Sequence, residues 1–222
     1  ERGRVVAAGD PKEVVGRYCR AVVSSSGKKN EPSTRESPPL SEPSTSARST
    51  TWNKFFTLNP DEDRYGNKKA EIVEAGIFSQ NDDPVQLLEC NREYVIKVKV
   101  QHRQEMPAAI VAYSIRNPQG LVLCGTNTLV QAIDMGWMKH SETVVVTFRQ
   151  KIQLNPGKFL LCVGAAAYEN GEYVVYDRRF DYMAFEVVSA QQRVGLFDLN
   201  STIEWAATGT GEPEINSNSI RP

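Results

Sequence analysis

Among 222 residues there are only two histidines and four cysteines. His102 and His140 have no HxxxH or Cys/His spacing around them, and Cys19, Cys90, Cys124 and Cys162 form no CxxC pair, so zinc and disulfide-exchange chemistry have no sequence support. Isolated cysteines inside apolar runs behave as small hydrophobes and read as reduced structural thiols of a cytosolic protein. There is no Gly-x-x-x-x-Gly-Lys-Ser/Thr loop, which removes the backbone cradle and lysine that ATP hydrolysis needs. No apolar run approaches the roughly 18 residues of a membrane span, and the first residues lack the apolar core of a secretory signal. Membrane association is therefore expected through a partner. The formal net charge of −1 gives nucleic acid nothing to hold. No cofactor is expected. Convincing helical stripes are also missing beyond residue 65.

Strand signals fill that space. The organising stretch is residues 109–127, where two apolar runs meet at Asn117-Pro118-Gln119-Gly120. Pro presets the first corner of a turn and Gly accepts the positive φ that closes it, so this is a hairpin. Val111, Tyr113 and Ile115 alternate with Ala112, Ser114 and Arg116, one set for a core and one for water. The second run, 121–125, is more uniformly apolar and reads as an interior strand. In all, about eight strands are expected, over 69–78, 85–88, 93–101, 108–116, 120–126, 142–154, 158–168 and 173–188, the last bending near 177–181. Frequent strands without crossover helices make an all-β, antiparallel β-sandwich.

Four segments divide the chain. Residues 1–23 carry a strand-like Val5-Val6 and an Asp10-Pro11 helix start. Residues 24–51 are rich in Ser, Pro, Thr and Glu and read as a disordered linker, too poor in apolar surface to offset their ordering entropy. Trp52, Phe55, Phe56 and Leu58 then open the sandwich, 52–205, as an aromatic flap expected on its edge, and 206–222 read as a loose tail.

Several short motifs recur in a family order. Arg64-Tyr65-Gly66 leads into Ala70-Glu71-Ile72; Ser114 to Gly120 is followed by Gly125-Thr126-Asn127-Thr128; Leu154-Asn155-Pro156-Gly157 precedes an apolar strand; Gly195-Leu196-Phe197-Asp198-Leu199 lies near the end. This ordered set resembles the C-terminal carbohydrate-binding domain of the ATP-binding subunit of O-antigen ABC exporters, the Wzt family. Residues 1–23 resemble the last strand and helix of an ABC ATPase domain. The resemblance implies a jelly-roll or immunoglobulin-like sandwich, without enzymatic activity in this region, that recognises completed O-antigen polysaccharide through a modification at its non-reducing end. It implies a membrane-spanning transporter subunit as partner through the ATPase domain, a cytoplasmic location at the inner membrane, and a homodimer, with 52–58 and 195–205 as candidate edge-pairing segments. The alternative function is a dimerising or tethering sandwich that binds no glycan.

A sugar-binding face needs flat aromatics for the apolar side of a pyranose and planar polar groups for its hydroxyls. Counting outward from Val144, Val146, Phe148 and Ile152 leaves Thr147, Arg149 and Lys151 exposed. The same count turns Ser114 and Arg116 outward on the hairpin and Tyr182 outward beside inward Met183, Phe185 and Val187. If these strands share a sheet they form an Arg/Lys/Tyr surface. Trp137, Tyr168, Tyr173 and Tyr176 are loop aromatics suited to a rim. Asp177 and Asp181 flank Arg178-Arg179, an arrangement of ion pairs rather than of a glycosidase acid and base.

Overall fold

The computed structural model describes residues 51–205, together with Val5, Ala8, Gly9 and Val14. The ATPase-like segment expected over 1–23, apart from those four positions, the linker over 24–51, apart from Thr51, and the tail over 206–222 lie outside the described residues. Within them the order is a 3-10 turn, Trp52–Phe55, then β1 (Asp63–Tyr65), β2 (Ala70–Phe78), β3 (Leu87–Glu89), β4 (Glu93–His102), β5 (Met106–Pro107), β6 (Ile110–Arg116), β7 (Val122–Asn127), β8 (Trp137–Met138), β9 (Thr143–Lys151), β10 (Gly157–Glu169) and β11 (Glu172–Val188).

Two sheets face each other. The larger runs β1-β11-β10-β6-β7, with β3 beside β11 in parallel; the smaller runs β2-β4-β9, and β5 and β8 form a separate two-stranded ribbon. Apart from that parallel pair every ladder is antiparallel. The all-β sandwich expected from the strand pattern is what forms. On β4 the period of two is plain: Ile96, Val98 and Val100 are fully buried while Lys97 and Lys99 lie on the outer face. Val111, Ile115, Leu161, Val163, Phe159 and Phe185 meet them from the larger sheet in one continuous core.

The β6–β7 connection is the turn the sequence encodes: the Gly120 N–H donates to Asn117 O at 2.9 Å with Gly120 at φ 86°. The strand after it is not interior. β7 pairs only with β6, so it is an edge, and Val122 and the preceding Leu121 are 56% and 58% exposed.

Two further expectations fail at the bend of β11. Val163 stands opposite Arg179 and Leu161 opposite Met183, so three residues of β11 oppose the single Cys162. Asp181, inside that bulge, is in the left-handed region at φ 54°. The pleat is broken there, and Tyr182 and Met183 are both fully buried although they are adjacent. Tyr182 therefore points inward, not outward. Arg116 keeps its expected side of β6 yet is only 6% exposed, because its guanidinium donates to Gly120 O and to Asp181 Oδ1 and lies over the Phe180 ring.

That inward bulge seals the sandwich. On its second edge β2 meets only a short backbone bridge, Phe78 to Pro84, and before it side chains of the other sheet satisfy the edge: Ile72 N–H donates to Asp177 Oδ2 at 2.8 Å, Arg179 donates to Ile72 O at 3.3 Å, and Ala75 N–H donates to the Tyr182 hydroxyl at 3.3 Å. An open strand edge would otherwise present unpaired backbone groups. Asp177 is an ion-paired corner as expected, though its cations are Arg64 and Lys68, while Arg179 pairs with Glu62.

Candidate functional site

β9 runs along the open side of the smaller sheet, and its polar side faces away from the core. Thr143, Val145, Thr147, Arg149 and Lys151 alternate outward against half-buried or buried Val144, Val146 and Phe148. The register ties them to β4 and β2 in rows: Phe78, Val95 and Arg149; Gly76, Lys97 and Thr147; Glu74, Lys99 and Val145. Where β4 begins and β9 ends, a half-open groove of about 520 Å³ is lined by Gln80, Glu93, Tyr94, Val95, Arg149, Gln150 and Lys151.

The groove mixes donors and acceptors. Glu93 is held by the Gln80 amide at 2.6 Å, and the Tyr94 hydroxyl accepts the Glu89 N–H at 2.8 Å. Arg149 and Lys151 carry no ion pair or hydrogen bond among the described residues, unlike Lys97 with Asp82 and Lys99 with Glu74. The Gln150 Nε2 atom is buried with no partner among the described residues, on the side of β9 opposite Arg149 and Lys151. Two cations without protein partners among the described residues and a carboxylate line one concavity, a site with donors for hydroxyl, carboxylate or phosphate oxygens.

One end of this face is covered. Residues 52–56 lie over its outer side, with the Phe56 ring pressed where Gly76 has no side chain: a Cβ there would sit 2.2 Å from the ring. Trp52 and Phe56 both meet Phe78 edge-on, at 5.3 and 5.6 Å between ring centres. The flap expected on the edge of the domain lies on the outer face of the β2-β4-β9 sheet, where Gly76 opens a slot. Nothing in the spacing of the aromatics reveals this.

The remaining expected site residues do not join the groove. β6 and β11 belong to the larger sheet and β9 to the smaller, so Ser114, Arg116 and Tyr182 share no surface with Thr147, Arg149 and Lys151. Ser114 is half-buried on the outer side of the larger sheet. Trp137 on β8 and the Tyr168–Tyr173 pair at the β10–β11 hairpin tip are exposed, their tyrosine rings 5.5 Å apart, at the end of the sandwich away from the groove. Tyr176 is no rim residue: it is 2% exposed and donates to Glu169 at 2.8 Å. Gln80, Glu93, Tyr94 and Gln150 were not singled out by sequence; polar residues at strand ends carry no periodic signal.

Comparison with known proteins fixes the family. The family model described as the Wzt C-terminal domain matches residues 61–199. The chain belongs to the Wzt C-terminal domain family. The crystal structure of the C-terminal domain of wzt superposes with a TM-score of 0.65 at 24% identity, covering 72% of this chain and 98% of that one, which supports the same fold. Weaker likenesses are to the Pseudomonas fluorescens alkylpurine DNA glycosylase AlkC bound to abasic-site DNA (TM-score 0.36, 12% identity, 54% of this chain and 30% of that one) and to the CARDB domain of the Pyrococcus furiosus PF1109 protein (TM-score 0.32, 13% identity, 55% and 96%). No curated protein matches the chain in sequence. Membership ties this Wzt C-terminal domain to the O-antigen ABC exporter and to the part of its ATP-binding subunit that is not the ATPase. Among the described residues no helix is long and apolar enough to cross a membrane.

Proposed function

We propose that this domain binds the polysaccharide cargo of the exporter, on the outer face of the β2-β4-β9 sheet, at the groove between the start of β4 and the end of β9. The observation that carries the reading is the pair Arg149 and Lys151, exposed cations without partners among the described residues, beside a concavity between the start of β4 and the end of β9. Such donors suit a glycan with carboxylate, phosphate or densely hydroxylated units. Recognition of a completed chain, through a modification at its non-reducing end, would select cargo before an ATPase domain on the same subunit drives transport through a membrane-spanning partner, with the domain on the cytoplasmic side of the inner membrane.

Calorimetric titration with lipid-free O-antigen polysaccharide of the source organism tests this. Saturable binding that Arg149→Ala and Lys151→Ala each weaken supports it; binding unchanged by either overturns the groove assignment, and no binding overturns the glycan reading.

Assembly as a homodimer is part of the proposal. After Asp198, bonded to Asn91 and Gln153, the chain turns at left-handed Asn200, φ 52°, and Leu199, Ile203 and Trp205 around and beyond that turn are 84%, 91% and 66% exposed. Large apolar side chains left this exposed fit an open sheet edge of a second copy.

A further inference from the structure

Residues 52–56 are held to the sandwich by side chains alone. Their backbone makes no hydrogen bond to either sheet; its bond is local, from Phe56 N–H to Asn53 O. From Thr57 onward the attachment changes: Gln86 bonds both the N–H and the C=O of Thr57, Leu58 bridges to Met183, and Asn59 N–H donates to Tyr182 O at 3.0 Å. A side-chain-held strap thus begins where a backbone-held anchor ends, with the pivot between Phe56 and Thr57.

What the strap covers is an imperfect seat. Trp52 lies 4.3 Å over the Lys99 ammonium, which pairs with Glu74. Glu74 is 3% exposed, and its second oxygen, Oε1, is buried with no partner. A half-satisfied carboxylate costs free energy in the closed state that water would return on opening. Aromatic packing on Phe78, the Gly76 slot and the hydrogen bond that the Tyr182 hydroxyl donates to Asn53 Oδ1 at 2.6 Å oppose that release.

The seat continues the groove. Val95 pairs with Arg149 on one side and Phe78 on the other, and Lys97 pairs with Thr147 and Gly76. From the Arg149 row to the Val145 row is four residues, about 13 Å along β9. We propose that the strap at residues 52–56 is a displaceable cover over a second glycan subsite, formed by Phe78, Lys97 and Lys99, which a polymer extending from the Arg149 groove occupies in its place. The ring of Phe78 offers stacking for a sugar's apolar side, and the two ammonium groups offer donors to its oxygens. The proposal rests on the groove being the glycan site. It adds that polymer length is read by competition with Trp52, which couples cargo to the chain upstream of the strap.

Two variants uncover the seat differently. Gly76→Ala places a Cβ against the Phe56 ring and wedges the strap; Trp52→Ala removes the indole and leaves the slot intact, keeping the test usable if the first variant folds poorly. In ligand-free protein, mass spectrometry should show faster acylation of Lys99 by an amine-reactive ester in both. Lipid-free O-antigen polysaccharide should bind both variants about fivefold more tightly, because the affinity lost to the closed fraction is restored. A fragment of one repeat unit, confined to the groove, should bind all proteins alike. Weaker or unchanged polymer binding, or unchanged Lys99 reactivity, overturns the strap proposal while leaving the groove reading in place. Failure of both polymer and fragment to bind even the parent overturns the groove reading, and the proposal with it.

Discussion

The carboxylate of Asp177 in the larger sheet accepts the backbone N–H of Ile72 in the smaller one at 2.8 Å, and no water-exposed surface remains on that side chain. Arg64 binds the same carboxylate through two nitrogens, at 3.0 and 2.7 Å, and Lys68 adds a third cation contact. Burial opposes its ionisation, but hydrogen bonds from Arg64, Lys68 and Ile72 outweigh that and hold the carboxyl below its usual value of 3.8.

Asp177→Asn should therefore destabilise the domain by about 1–3 kcal/mol, since it removes the anion that Arg64, Lys68 and the Ile72 N–H share and leaves Arg64 with its ion pair to Glu71. Denaturant melts at neutral pH check this. In the parent, the Asp177 contribution is present above pH 3.8 and is lost as pH falls through the depressed folded value. A variant that loses nothing at neutral pH would show that the two sheets are not clamped there.

His102 governs a higher pH range. It is fully buried, accepts the Ala109 N–H on Nε2 at 3.2 Å, and burial lowers its pKa from 6.5. The unfolded chain takes up a proton near pH 6.5 that the folded one refuses, so stability should fall as pH drops below that point. Melting temperatures at pH 7.5 and 5.5 should differ more in the parent than in His102→Gln.

Gly120→Val should cost more than about 1 kcal/mol, because a β-branched side chain resists positive φ. It would also crowd Arg116, whose Nη2 lies 3.2 Å from where the Cβ would stand. An unchanged thermal midpoint contradicts that reading of the turn.

Gly120 shows why much of the fold was legible. Turn chemistry and alternation act locally, so Asn117-Pro118-Gln119-Gly120 and the Ile96, Val98, Val100 stripe declare a turn and a core face without tertiary information. Tyr182 shows where legibility stops. One left-handed residue, Asp181, displaces the period-two count, and nothing in a run of apolar and charged residues marks which position bulges. Sheet membership is hidden for a related reason: β9 pairs with β4, separated from it by four strands in sequence, and edge status depends on that pairing rather than on composition. Arg149 and Lys151 face outward as expected because β9 has no bulge; Arg116 keeps its expected side of β6, but its buried pairing with Asp181, 65 residues away, carries no sequence signal.

If the exposed apolar residues Leu199, Ile203 and Trp205 pack on a second copy, removing residues 199–222 should convert a dimer to monomer. Sedimentation equilibrium at tens of micromolar reads the change. A parent protein that is monomeric at that concentration sinks the dimer, and a dimer that survives truncation moves it to another surface.

Arg116 and Arg149 separate scaffold from site. Arg116 is buried against Asp181, the Gly120 carbonyl and Phe180, so Arg116→Ala should cost about 2–4 kcal/mol of stability through the lost ion pair, hydrogen bond and packing. Arg149 is exposed and makes no ion pair or hydrogen bond among the described residues, so its removal should change stability by only about half a kcal/mol. Binding should reverse the order. An arginine contact desolvated against a glycan oxygen or carboxylate is worth about 1.5 to 3 kcal/mol, a loss of roughly ten- to a hundredfold in polysaccharide affinity for Arg149→Ala. Arg116→Ala should bind normally at temperatures where it remains folded. Thermal melts beside calorimetric titrations of both variants read the two effects separately. Parent-like affinity in Arg149→Ala would move the site to the exposed aromatic end, where Trp137→Ala and Tyr168→Ala become the decisive variants.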